Sequence, residues 1–204
     1  MHDQNGTAGS RMERKKEETK RKIVAAANGL FKSQGFAATT MEQIAKEADI
    51  AKGTLYNYFA VKEAIIDESI KRSFRERNDE WILALRQLPD TRSRLIYIFG
   101  VLIEGVRAQQ EIFEKYLVYR MRLLLRFHQE DSEKSGFHLI AAEIIALGRA
   151  NGGIRADLPH PVIVELFEFG FIEAVKQFYQ DPEHFDSGKV IELYADLCLN
   201  GIKV

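Results

Sequence analysis

The chain has 204 residues, 46% of them apolar and 29% charged, the balance of a globular protein with enough length to bury a real core. No apolar run reaches the roughly 18–20 residues that span a bilayer, and the polar start has no signal-peptide pattern, so the expectation is a cytoplasmic protein with no membrane partner. The net charge of −1 hides an asymmetry: residues 11–62 carry +5 and residues 63–204 carry −5, so a polyanion is drawn toward the first third of the chain.

Residues 1–11 are polar and rich in turn formers, and are expected to be disordered. From residue 12 a helix is expected, with Ile23, Ala27, Leu30 and Phe31 on one face, ending at Gly35. Its basic start, Lys15 to Lys22, suits either a phosphate backbone or plain solvation. The stretch from Thr39 to Phe59, TTMEQIAKEADIAKGTLYNYF, then reads as two short helices joined by a tight turn. Thr40 with Gln43 three residues on forms a capping-box signature. Met41, Ile44, Ala45 and Ala48 make one apolar stripe. In the turn Asp49-Ile50-Ala51, Asp49 is a residue type that enters left-handed backbone conformation cheaply. In the second helix Leu55 and Phe59 face inward, leaving Lys52, Thr54, Tyr56, Asn57 and Tyr58 on other faces, with Gly53 permitting close approach. Such a surface suits DNA, since hydroxyls and an ammonium reach phosphate oxygens. A helical hairpin whose tyrosines pack on neighbours is the plainer reading of the same pattern.

The run IAKEADIAKGTLYNYFAVKEAII, with its Thr-capped first helix and its Gly-Thr-Leu-Tyr-x-Tyr-Phe segment followed by Lys62-Glu63, resembles the helix-turn-helix of the tetracycline-repressor (TetR) family of bacterial regulators. Two positions depart from the family pattern: Asp49 stands where Gly is usual and Ala51 where Ser is common, and alanine cannot cap a helix with its side chain. The resemblance implies an all-α fold, with a three-helix DNA-binding head over residues 12–62 (motif 40–59) and an effector-binding and dimerisation bundle over residues 63–204. The expected DNA-binding residues are Thr39, Thr40, Lys52, Gly53, Thr54, Tyr56, Asn57, Tyr58 and Lys62. Thr54 and Asn57 are the candidate base readers, and Lys62 a phosphate contact.

A long helix from Lys62 runs without Gly or Pro to Pro89, carrying Ile66, Ile70 and Phe74 at four-residue spacing and Trp81 as a packing anchor. Further helices are expected over 91–108, 110–129, 134–151, 160–180 and 187–202, and no strand signal is present. The bundle is rich in aromatics, and Gly100 and Gly105 weaken a helix interior for no local reason. Small residues beside large rings can line a pocket. The candidates there are Phe99, Phe113, Tyr116, Tyr119, His128, His138 and Phe171, where the resemblance implies a small-molecule effector. The helix over 160–180 is apolar on more than one side, so the last two helices are expected to pair with those of a second subunit. The expected interface residues are Ile163, Phe167, Phe171, Val190, Tyr194 and Leu197.

An enzyme reading has little to stand on. The sequence has no Gly-x-Ser-x-Gly, no Gly-rich phosphate loop and no His-Glu-x-x-His, and Cys198 is its only cysteine, so neither a disulfide, a metal site nor a cofactor is expected. The expected function is a homodimeric, ligand-responsive transcriptional repressor on a palindromic operator in double-stranded DNA. A helical adaptor using the tyrosine-rich motif for protein partners is the second reading; salt dependence separates the two, since phosphate contacts weaken with salt.

Overall fold

The computed structural model describes residues 5–124 and 135–202, and every regular element among them is helical. In chain order these are α1 (Asn5–Gln34), α2 (Met41–Glu47), α3 (Lys52–Tyr58), α4 (Lys62–Gln87), α5 (Thr91–Ala108), α6 (Gln110–Leu124), α7 (Phe137–Ala150), α8 (His160–Gln180) and α9 (Ser187–Asn200). No helix among the described residues is long and apolar enough to cross a membrane. The helix α1 starts upstream of residue 12, where the sequence led us to expect disorder. Adding turns to an existing helix costs propagation rather than nucleation, and no proline stands in the way.

The chain divides into two compact units, one comprising Met1–Ile70 with Glu114–Leu125, the other Lys71–Phe113 with Arg126–Val204. The boundary thus falls inside α4, beyond the expected 62/63, and α6 contributes most of its length to the first unit. Chemistry explains the recruitment of α6. Asp67 on α4 and Arg120 on α6 form an ion pair at 3.7 Å with both side chains 7% exposed, and such a pair must stay together because either charge alone is costly to bury.

In the first unit Ile23, Ala27 and Phe31 of α1 pack with Ile44 and Ala45 of α2 and Leu55 of α3, all buried. Phe36 closes one end against Phe31, ring centroids 5.2 Å apart. The amide of Asn28 donates to Ser69 Oγ at 2.8 Å, tying α1 to α4.

In the second unit α5 is the most buried helix, with Leu95, Ile98, Phe99, Leu102, Ile103 and Val106 inward, and α7, α8 and α9 pack around it. Close approach of α8 and α9 depends on Gly170, where an added Cβ would lie 2.6 Å from Cys198 Sγ. Burial pushes the Cys198 thiol up to about 11, so it behaves as a small hydrophobe. Arg94 is buried because it works as a cap: Nε donates to Leu85 O at 3.0 Å and Nη2 to Leu88 O at 2.7 Å, supplying carbonyls at the end of α4. Arg92 grips Asp196 by two bonds of 2.7 and 3.2 Å, linking α5 to α9.

Candidate nucleic-acid interface

The start of α2 is built as a polar knot. Thr40 Oγ1 accepts from Gln43 N at 3.2 Å while Thr40 N donates to Gln43 Oε1 at 2.8 Å, the reciprocal capping box. Gln34, at the end of α1, donates to the same Gln43 oxygen at 3.2 Å and to Ala38 O at 3.2 Å. The entry to the motif is thereby fixed from two helices.

The turn has the geometry its sequence suggests. Asp49 is the one non-glycine residue with positive φ among the described residues, at 55°. Its N–H donates to Lys46 O at 3.1 Å, and the N–H of Ile50 donates to Ala45 O at 3.0 Å. This is a Schellman ending with aspartate in the place glycine usually takes. Ala51 then opens α3 with no side-chain cap, so the start of the recognition helix lacks the bond that Ser would supply.

On α3, Leu55 and Phe59 are buried, Thr54 and Tyr58 are half-buried, and Lys52, Gly53, Tyr56 and Asn57 are exposed. Nothing lies within 4 Å of a Cβ built on Gly53, so the backbone there is open. Lys52 pairs with Glu42 of α2, and its ammonium lies 5.8 Å from the Tyr56 ring centroid. The hydrogen bond from Lys52 holds the Glu42 carboxyl below its ordinary value, and the same bond raises Lys52. No local pattern announces this partner, because Glu42 and Lys52 meet only across the turn. A phosphate approaching Lys52 must compete with it.

Two expected DNA-binding residues do other work. Thr39 is 1% exposed, and its hydroxyl donates to Gly35 O at 2.8 Å. It belongs to the core of the α1–α2 turn and is not a surface contact. Lys62 donates from Nζ to Phe36 O at 2.6 Å and to Thr39 O, with the ammonium 4.2 Å from the centroid of the Phe36 ring. Two of its three N–H donors are thus engaged by backbone carbonyls, so Lys62 positions the α1–α2 turn and keeps one donor on its half-exposed side.

The expected effector residues fall into both units. Phe99 and Phe171 meet at 5.7 Å, joined by Phe137, which lies 6.4 Å from Phe99 and 6.3 Å from Phe171. Phe113 stands 4.0 Å from a Cβ built on Gly105, and His138 packs edge-on to His160 at 6.3 Å. Tyr116 and Tyr119 belong to the first unit, and His128 lies outside the described residues. No group of three or more His, Cys, Asp or Glu that could hold a metal occurs among the described residues.

The residues expected at an interface differ in burial. Ile163 and Phe167 are fully buried within the chain and so unavailable to a partner, whereas Phe171 is half-buried beside the aromatic cluster. Val190 and Tyr194 are half-buried, and Tyr194 Oη accepts from Gln177 at 2.9 Å. The exposed apolar side chains of these helices are Val162 and Phe169 on α8 and Leu193 and Leu197 on α9, each 50% to 60% exposed. Only Leu197 of the expected set lies on that face.

Residues 23–68 match the family model for bacterial regulatory proteins of the tetR family. The HTH-type transcriptional regulator HbdR of Aromatoleum sp. (strain CIB) is 31% identical over 166 residues, covering 79% of this chain and 71% of that protein. The HTH-type transcriptional repressor KstR2 of Mycolicibacterium smegmatis is 24% identical over 187 residues, 88% of each chain. Among solved structures, FadR of Thermus thermophilus, a TetR-family transcriptional repressor in complex with lauroyl-CoA, superposes with a TM-score of 0.71 at 26% identity, covering 91% of this chain and 95% of that one. The capped α2, the Asp49 turn and α3 all lie within the matched residues 23–68, and, with a 31% identical relative matched over 79% of it, this chain belongs to the tetR family of DNA-binding transcriptional regulators.

Proposed function

We propose that the protein is a homodimeric repressor that holds a palindromic operator through α3 of each subunit and is released from it by a largely apolar effector of the acyl-thioester class. The observation that carries the DNA reading is the exposed face of α3, where Lys52, Gly53, Tyr56 and Asn57 surround a buried Leu55. Hydroxyl and ammonium groups contact phosphates while Asn57 and Thr54 reach base edges in the major groove. Thr40, exposed at the start of α2, is a flanking phosphate contact.

Dimerisation is supported by the apolar face of Val162, Phe169, Leu193 and Leu197, which a self-complementary two-fold contact would bury. Two subunits are required if two recognition helices are to enter grooves about 34–36 Å apart. The effector class is supported by the lauroyl-CoA complex of the Thermus thermophilus repressor, and an alkyl chain would lie beside the aromatic core of Phe99, Phe137 and Phe171.

The test is fluorescence anisotropy on a duplex selected by the protein from a random pool. The expected result is a two-fold symmetric site bound by two subunits and released on addition of lauroyl-CoA. Selection of no common sequence would refute the repressor reading. A ligand that leaves operator affinity unchanged would refute the effector reading alone, since only differential affinity can shift the equilibrium.

A further inference from the structure

The helix-turn-helix is the acidic part of a basic third of the chain. Residues 11–62 carry +5, yet residues 39–59 hold only Lys46 and Lys52 against Glu42, Glu47 and Asp49. Lys52 is the only basic residue of α3, and its ammonium is already bonded to the Glu42 carboxylate of α2. That bond is the largest cause holding the Glu42 carboxyl below its ordinary value, and the Thr40 side chain adds a smaller hydrogen-bond contribution of the same sign. Glu42 therefore carries its charge at neutral pH.

Lys52 and Thr40 are two of the groups that the operator reading assigns to phosphates. An ammonium and a hydroxyl directed at one carboxylate offer it what a DNA-binding surface offers a phosphate oxygen. We infer that Glu42 is an internal stand-in for a DNA phosphate, holding Lys52 and Thr40 in the free protein and giving them up to the operator; this rests on the DNA contacts proposed above.

The exposure of the pair makes such an exchange feasible. The Lys52 and Glu42 side chains are 59% and 55% exposed, and an ion pair so open to water is weak enough for a phosphate to displace. The displacement still has a cost. Each contact between Lys52 and a phosphate forms with the loss of one bond to Glu42, and the freed carboxylate is left beside a polyanion. Glu42 thus subtracts from operator affinity. It also flattens the salt dependence, because salt weakens both the bond that is lost and the contact that replaces it. Glutamine at this position keeps an oxygen for the ammonium and has no charge to set against the phosphate.

The test is fluorescence anisotropy on the selected operator duplex at stepped salt, with wild type, Glu42→Gln, Lys52→Met and the double variant. Glu42→Gln is expected to bind about two- to fivefold tighter per subunit, the worth of one exposed ion pair. Its salt slope should be steeper by up to about 0.9 per subunit. Lys52→Met should bind more weakly than wild type, and in that background most of the gain from Glu42→Gln should vanish. The sign excludes a merely structural role, since a pair that only braced the turn would weaken operator binding when cut. A Glu42→Gln protein that binds no tighter than wild type overturns the stand-in and leaves the α3 reading in place. A gain of equal size with and without Lys52 also overturns it, by making Glu42 a direct repeller of DNA. Wild-type affinity in Lys52→Met does the same, because the ammonium then meets no phosphate. Failure of the wild type to select any duplex overturns the α3 reading and the stand-in together.

Discussion

Lys62→Ala separates a structural lysine from a DNA-contacting one. The substitution removes the bonds from Nζ to Phe36 O and Thr39 O and the contact with the Phe36 ring. A hydrogen bond to a charged group is worth about 1.5–3 kcal/mol, and the ring contact adds about 0.5–1 kcal/mol. Lys62 is only half-buried, so water recovers part of the loss at both carbonyls. A net destabilisation of about 2–3 kcal/mol is expected. For a chain of this size that lowers the thermal midpoint by roughly 4–12 °C. The assay pairs a melt with operator titrations at stepped salt. The melting point should fall, and the slope of log affinity against log salt should match wild type. An unchanged melting point with a slope reduced by about one per subunit contact would refute the reasoning and return Lys62 to the phosphate backbone.

Asp49→Gly should stabilise the protein by about 0.5–1 kcal/mol in urea unfolding, since glycine takes the observed φ of 55° without a Cβ penalty that exceeds its extra chain entropy. Ala51→Ser should add up to about 1 kcal/mol by capping α3; no gain in either variant would mean the turn is not as described. Asp67→Ala should cost about 3–5 kcal/mol by depriving buried Arg120 of this counter-charge, and Asp67→Leu with Arg120→Met together should cost less than the two single changes added; strict additivity in that cycle would show the pair to be uncoupled. Leu197→Glu and Phe169→Glu should each sediment as monomers and lose the operator, whereas Glu at Ile163 should unfold the protomer, because Ile163 is wholly inside it. Cys198 should resist thiol reagents at pH 8 until the chain unfolds. Its folded value of about 11 lies above the ordinary thiol value of 9.0, so its contribution to stability is complete below 9.0 and is lost as pH rises toward 11.

What could be read from the sequence was what local rules govern. The Thr40–Gln43 box and the left-handed Asp49 each follow from a few consecutive residues, and the breaks at Pro89, Gly152 and Pro182 fall where chain chemistry forbids a helix. What escaped depends on contacts across the fold. Lys62 reaches carbonyls 23 and 26 positions back, which no periodic pattern encodes, and a lysine after a recognition helix reads naturally as a phosphate ligand. On α8, Phe167, Phe169 and Phe171 alternate along a helix apolar nearly all round, so its inward face was ambiguous by one residue until Gly170 met Cys198.

The central claim is that the outward face of α3 reads DNA, and affinity for the selected operator duplex, compared between wild type and Asn57→Ala at fixed physiological salt, tests it most directly. Asn57 is exposed and makes no contact that the fold requires, so the variant should melt like wild type, lose about 1–3 kcal/mol of operator affinity and bind unrelated duplexes as wild type does. An Asn57→Ala protein that held the operator as tightly and as selectively as wild type would contradict the account.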